Sequence, residues 1–269
     1  MQCVYGVFDE TNMLRKALYE SMKLNTYSGK AFFNAHRQFE YEYALSLNYS
    51  INEVQIEQEY KSLLQAAEKR RSMLGSLHLF VLAHVIRRPI IVYSVRKLQG
   101  YQNDDLGFAD VAGIYLPALF WEQNQVNRTP ICIGYSKFHF SALVGSGGSS
   151  DEINSKISGN NRENSGQRCE NNSGQNSGQS SNQNSGIYKL QTDMLLPLTD
   201  FENQLLSIPF IKTTFEENTN DNYYKAFLTE YMDLVETDAG IFCAVQNTGE
   251  ALSLSTSVAL IQDWMLKMQ

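Results

Sequence analysis

Apolar residues recur at helical spacing through the first third of the chain and then give way to short β-branched runs. Met13, Leu14, Ala17, Leu18 and Met22 fall on one face of a helix that Asp9 or Thr11 can cap. Asn25–Lys30 interrupts the pattern. Ala31 to Leu47 resumes it with Phe32, Phe33, Phe39, Tyr43 and Leu47 among charges, and Glu53 to Arg70 repeats it with Val54, Ile56, Tyr60, Leu63 and Leu64. Ser76 to Ile86, SLHLFVLAHVI, is apolar nearly all round and predicts a helix buried inside the domain. His78 and His84 ride on that helix six residues apart, on different faces, which predicts structural roles for both and no joint metal site.

Arg87-Arg88-Pro89 ends the buried helix, and Ile90, Ile91 and Val92 predict a central strand. Gly113–Pro117 reads as a brief strand and Trp121-Glu122-Gln123 opens a loop. Ile131–Val144, ICIGYSKFHFSALV, reads as a hairpin or kinked strand with His139 just inside its second arm. Residues 145–186 change character: Ser, Gly, Asn and Gln dominate, and the tetrad Asn-Ser-Gly-Gln appears at 164–167, 172–175 and 176–179. Such a stretch lacks the apolar surface that offsets chain entropy, so a disordered insertion is expected. Beyond it, Met194–Pro197 and Leu205–Lys212 predict strands, Asn222–Val235 a helix, Gly240–Gln246 a strand and Ser253–Met268 a closing helix. The expected fold is α+β: one domain made of 1–144 and 187–269, with both parts contributing to the same sheet around the 145–186 insertion.

Composition narrows the function. The 269 residues carry a net charge of −7, which argues against nucleic acid, because phosphate binding needs a clustered cationic surface. The one basic cluster, Lys69-Arg70-Arg71, follows a helical stretch and is expected to complement its dipole. No apolar run is long enough to cross a bilayer, and residues 1–25 lack the layout of a signal peptide, so the chain is expected in the reducing cytoplasm, with access to the nucleus. Cys3, Cys132, Cys169 and Cys243 lie far apart without a C-x-x-C pair, so neither a zinc site of the usual kind nor a disulfide framework is expected, and no cofactor is called for.

His139 is the candidate for chemistry, since an imidazole at a strand end can exchange protons near neutral pH. A lone histidine in an apolar strand more often serves packing, so the segment by itself leaves both roles open. Cys132 precedes His139 by seven residues, an odd number, which in an unbulged strand points the two to opposite faces. Cys243 sits in the apolar run IFCAV as a small core side chain.

Longer strings say more than periodicity. MLRKALYESM, LHLFVLAHVIRRPIIVYSV, GIYLP, LFWEQ and GYSKFHFSALV occur in this order, and together they resemble the catalytic domain of the OTU family of cysteine deubiquitinases. The resemblance covers most of the chain apart from 145–186. It implies an OTU-type, papain-like domain that hydrolyses isopeptide bonds in polyubiquitin, a thiolate attacking the carbonyl and a histidine carrying the proton. His139 matches that histidine.

In the family the nucleophile lies in an Asp-Gly-x-Cys loop opening a helix, and Tyr5-Gly6 matches the end of that helix, so the resemblance puts the nucleophile upstream of Met1. The acidic residue that orients the imidazole comes from the same loop. Other OTU enzymes carry Asn or Asp two residues after the histidine, where Ser141 stands here. Cys3 would sit near the C-terminal end of the shortened helix, where the dipole disfavours a thiolate. The start of the chain is expected near His139, with no thiol of residues 1–269 in reach of it. Ubiquitin and polyubiquitin are the implied partners, with further ubiquitin-binding regions upstream. Residues 1–269 alone are expected to be inactive, the alternative being a ubiquitin-binding or interaction module that has lost its nucleophile.

Overall fold

The structure, a computed structural model, describes residues 12–94, 111–136, 139–143, 193–200, 203–211, 221–247, 264 and 266. Residues 1–144 and 192–269 make one compact unit, and 145–191 are a second unit that lies outside the described residues. Asp9, Thr11, Cys3, Cys169 and the Tyr5-Gly6 pair also lie outside them.

Four helices come first: α1 (Met13–Met22), α2 (Tyr27–Ser46), α3 (Glu53–Glu68) and α4 (Ser76–Ile86). The expected break at Asn25–Lys30 is shorter than its composition suggests. Thr26 caps α2 by accepting a hydrogen bond from Gly29 N–H, so the helix starts at Tyr27 and includes Gly29. A glycine is required there: a Cβ on Gly29 would lie 1.9 Å from the Lys23 carbonyl oxygen. α3 opens with a capping box between Asn52 and Gln55. Its C-terminal carbonyls are met by Arg15 of α1, whose guanidinium donates to Ala66 at 2.7 Å, Lys69 at 3.0 Å and Ser72 at 3.2 Å. The cation that complements the end of α3 thus comes from α1 and not from Lys69-Arg70-Arg71, because a side chain approaching from a neighbouring helix can meet outward-pointing carbonyls end-on.

α4 is buried from Leu77 to Val81 and again from Ala83 to Val85, as its nearly uniform apolarity predicts. Both of its histidines are held by hydrogen bonds. His78 Nδ1 accepts from Gly75 N–H at 2.8 Å while Nε2 meets the Leu63 carbonyl at 2.9 Å. His84 Nδ1 meets the Phe80 carbonyl at 2.8 Å while Nε2 accepts from Leu119 N–H at 3.1 Å. Each ring therefore needs one protonated nitrogen, on opposite sides of the ring in the two residues.

Four strands follow, β1 (Ile90–Ser94), β2 (Gly113–Tyr115), β3 (Ile131–Ser136) and β4 (His139–Ala142), in the order β2-β1-β3-β4. β1 is internal and almost wholly buried, parallel to β3, and antiparallel to β2. β3 and β4 form the antiparallel hairpin expected at Ile131–Val144.

Past the insertion come β5 (Asp193–Pro197), α5 (Asp221–Tyr231), β6 (Leu234–Glu236) and β7 (Phe242–Asn247). These strands form their own antiparallel sheet, β5-β7-β6, and do not extend the first one. That corrects the single-sheet expectation, while the apolar core remains continuous from Ala17 through Tyr115 to Leu228 and Trp264. Of the strand expected at Leu205–Lys212, the described residues 205–211 form none: Leu205 makes one isolated bridge to Thr199 and the chain turns at Pro209-Phe210. Its backbone instead supports β2, where Ile114 N–H donates to the Ser207 carbonyl at 2.8 Å. α5 stops at Tyr231, short of the expected Val235, because Leu234–Glu236 pairs with β7. Of the closing helix, Trp264 and Leu266 are described and helical, and buried Trp264 donates to Ser21 of α1 at 2.7 Å.

Several polar ties join the segments on either side of the insertion. Arg128 donates to the carbonyls of Thr229, Glu230 and Met232 at 2.7 to 2.8 Å and pairs with Asp233 at 2.7 Å, closing the end of α5. Tyr93 donates to the Pro197 carbonyl at 2.6 Å, and Gln246 to that of Pro130 at 2.9 Å.

Candidate functional site

His139 is the first residue of β4, directly opposite Ser136 across the hairpin, and its side chain is exposed. Two residues, 137 and 138, separate the paired positions, and the register Gly134↔Ser141 and Ser136↔His139 fixes which side chains share a face. Paired residues project to the same side, so His139 shares its face with Ser136, Gly134 and Ser141, and with Cys132 further down β3. Counting parity along one continuous strand put Cys132 on the opposite face from His139. The antiparallel pairing of β3 with β4 inverts that parity.

Sharing a face does not bring the two together. Cys132 stands four residues along β3 from Ser136, roughly 13 Å at strand rise. It is buried, and so is Cys243 in β7, whose thiol burial pushes up from its ordinary range. Neither thiol has the exposed, electropositive setting that favours a thiolate. Among the described residues, no side chain hydrogen-bonds to His139. The expectation that the chain start lies beside it falls on residues outside the described set.

The opposite face of the hairpin anchors it. Tyr135 and Phe140 pack at 4.7 Å between ring centroids, Tyr135 is buried, and Ile133 and Phe140 join the core. His139 is thereby held on an edge strand, on the face opposite the packed Tyr135–Phe140 pair. Gly134 leaves the neighbouring position on the exposed face without a side chain, flanked by Leu143.

The remaining family-like strings brace this sheet. Trp121 of LFWEQ donates to the His84 carbonyl at 3.0 Å, and the Arg87 guanidinium stacks 3.9 Å above the Trp121 ring. Asn127 N–H donates to the Arg87 carbonyl at 2.9 Å and Ile131 N–H to that of Pro89 at 2.8 Å, which sets where β3 begins beside β1. The run LAHVIRRPI and the run LFWEQ are therefore two halves of one joint.

Residues 2–140 match the family model described as OTU-like cysteine protease, a span of just over half the chain that ends one residue past His139. The chain belongs to that family. Its fold is the OTU fold, helices packed around a mixed sheet. Among curated proteins, it is 31% identical over 265 residues to the ubiquitin thioesterase trabid of Drosophila melanogaster, covering 98% of this chain and 29% of that protein. It is 30% identical over 154 residues to tumor necrosis factor alpha-induced protein 3 of Homo sapiens, covering 53% of this chain and 19% of that protein. The chain thus spans less than a third of the length of either relative.

Proposed function

We propose that this chain is the histidine-bearing part of an OTU deubiquitinase domain that hydrolyses isopeptide bonds in polyubiquitin, with His139 as the group that takes the proton from the attacking thiol and returns it to the leaving amine. The observation that carries this is His139 itself. It is an exposed imidazole on the outer face of a packed hairpin, at the end of the span matching a cysteine protease family. Similarity to a ubiquitin thioesterase over 98% of the chain supports ubiquitin as the substrate.

Cys132 and Cys243 are poor nucleophiles for this chemistry. Both are buried, and the first is roughly 13 Å of strand from the position facing His139. The attacking thiolate is assigned to the Asp-Gly-x-Cys loop that the family carries ahead of the segment resembling residues 1–6. Residues 1–269 produced alone are then expected not to react with a ubiquitin bearing a C-terminal electrophile. A protein that also carries the loop is expected to react and to cleave polyubiquitin. His139→Ala in that longer protein should lower turnover by several orders of magnitude, as loss of one member of a catalytic unit does. Labelling of residues 1–269 that disappears in Cys3→Ser or Cys132→Ser would place a working nucleophile inside this chain and overturn the assignment. A cytoplasmic and nuclear location is part of the same proposal, checked by microscopy of the tagged full-length protein.

A further inference from the structure

The helical hairpin of α2 and α3 contains a buried polar side chain that the OTU reading leaves without a role. His36 lies in the middle of α2, 2% exposed, and both of its ring nitrogens lack a hydrogen-bond partner. A buried polar atom left unmet costs about 1–3 kcal/mol, so such an atom calls for an occupant. Glu40, one turn further along α2, holds a carboxylate oxygen 3.7 Å from His36 Nδ1, too long for a hydrogen bond. Glu59 of α3 brings a second carboxylate, and one donor atom from each of the three residues lies within 4.8 Å of the other two.

The antiparallel register of the two helices accounts for the meeting. Tyr41 donates to Glu53 at 2.9 Å, and Tyr60 donates to the Gly29 carbonyl at 3.1 Å while its ring packs on Phe33 at 5.2 Å. Between those two ties, residue 59 faces the turn of α2 that holds residues 36 and 40. His78 lies close enough to influence His36, but both its nitrogens are already bonded, so it adds no ligand.

From this arrangement we propose that His36, Glu40 and Glu59 bind a divalent metal ion of the zinc type, clasping α2 to α3. One imidazole nitrogen and two carboxylates are a borderline-soft donor set that suits Zn²⁺, whereas Mg²⁺ and Ca²⁺ take oxygen ligands. A tetrahedral ion with bonds of about 2.1 Å sets its ligand atoms about 3.4 Å apart. The donor atoms need to contract by roughly an ångström to reach that spacing, a movement within the χ freedom of two glutamates. A water would complete the shell. His36 is buried, Glu40 half-buried and Glu59 exposed, so the ion enters from the Glu59 side and is held at the inner end by the imidazole.

The test uses residues 1–269 stripped of metal by a chelator, then titrated with Zn²⁺ against a chromophoric competitor, with Co²⁺ as a spectroscopic substitute. One ion should bind per chain. Glu40→Gln and Glu59→Gln should each weaken binding about tenfold or more, an excess of Mg²⁺ should not compete, and the unfolding midpoint should rise with Zn²⁺ concentration. The Co²⁺ adduct should show ligand-field bands without a thiolate charge-transfer band. His36→Asn can disturb packing, so the two glutamate variants, judged folded by circular dichroism, carry the decision. No saturable binding would mean that water alone meets His36, and would overturn the proposal. Binding indifferent to both glutamate substitutions, or a thiolate band that assigns the ion to cysteines, would overturn it as well.

Discussion

At the scale of the residue, the buried histidines make the clearest difference between what a side chain can do and what its surroundings allow. Burial pushes the His84 imidazole down to about 3, against a bonded Phe80 carbonyl that acts in the other direction, and His78 is lowered for the same first cause. Protonating His84 would also place a second donor against Leu119 N–H, which the neutral ring accepts. The unfolded chain titrates such a group near its ordinary value of about 6.5, so between there and about 3 the unfolded state binds more protons. Stability is therefore fully present above pH 6.5 or so and falls as pH drops, by up to about 1.4 kcal/mol per pH unit for each such histidine. Urea midpoints measured from pH 7 to 4.5 should show that slope, and His84→Gln should flatten part of it, whatever its stability at pH 7. An unchanged slope in that variant would mean that His84 is not neutral in the folded protein.

At the scale of the element, positions facing the core were legible in the sequence and the element ends were less so. α4 and β1 follow from runs of apolar and β-branched residues that no surface element tolerates, and the hairpin at 131–142 follows from its aromatic and β-branched composition. The register of that hairpin is not readable the same way, because the pairing of Ser136 with His139 decides which face His139 takes. Helix ends went astray where the partner was distant: Arg15 meets the carbonyls after α3 from more than fifty residues away, and β6 takes residues that continue the pattern of α5. His36 is not legible as a ligand in the sequence for a related reason. His-x-x-x-Glu on one helix is common on solvated faces, and only the packing of α3 brings Glu59 to it and buries the ring. Tyr60 tests how far the helix pair depends on such ties. Its one hydroxyl proton is shared between the carbonyls of Met22 and Gly29, 2.9 and 3.1 Å away, in a fully buried setting. Tyr60→Phe should cost about 1 kcal/mol by removing this buried hydrogen bond, measured by chemical denaturation, and a neutral outcome would mean that water replaces the hydroxyl.

At the scale of the molecule, the question is what makes one folding unit of two stretches separated by more than forty residues of low-complexity sequence. The ties run between described residues on both sides. Arg128 closes the end of α5, Tyr93 reaches β5, Gln246 reaches Pro130, Ser207 supports β2, and Trp264 enters the core against α1. None of them uses a residue of 145–191. Excising 145–186 in favour of a Gly/Ser linker of about a dozen residues should therefore preserve a single cooperative unfolding transition. Shortening the connection should shift stability by only about 1 kcal/mol, since closure entropy grows with the logarithm of loop length. Arg128→Ala removes three carbonyl contacts and the Asp233 pair, which should cost about 2–3 kcal/mol. That loss should be equal in the excised and intact chains, because distant, independent sites add. Two transitions after excision, or an Arg128→Ala effect present only when the insertion is intact, would show that the insertion holds the halves together and that these ties do not.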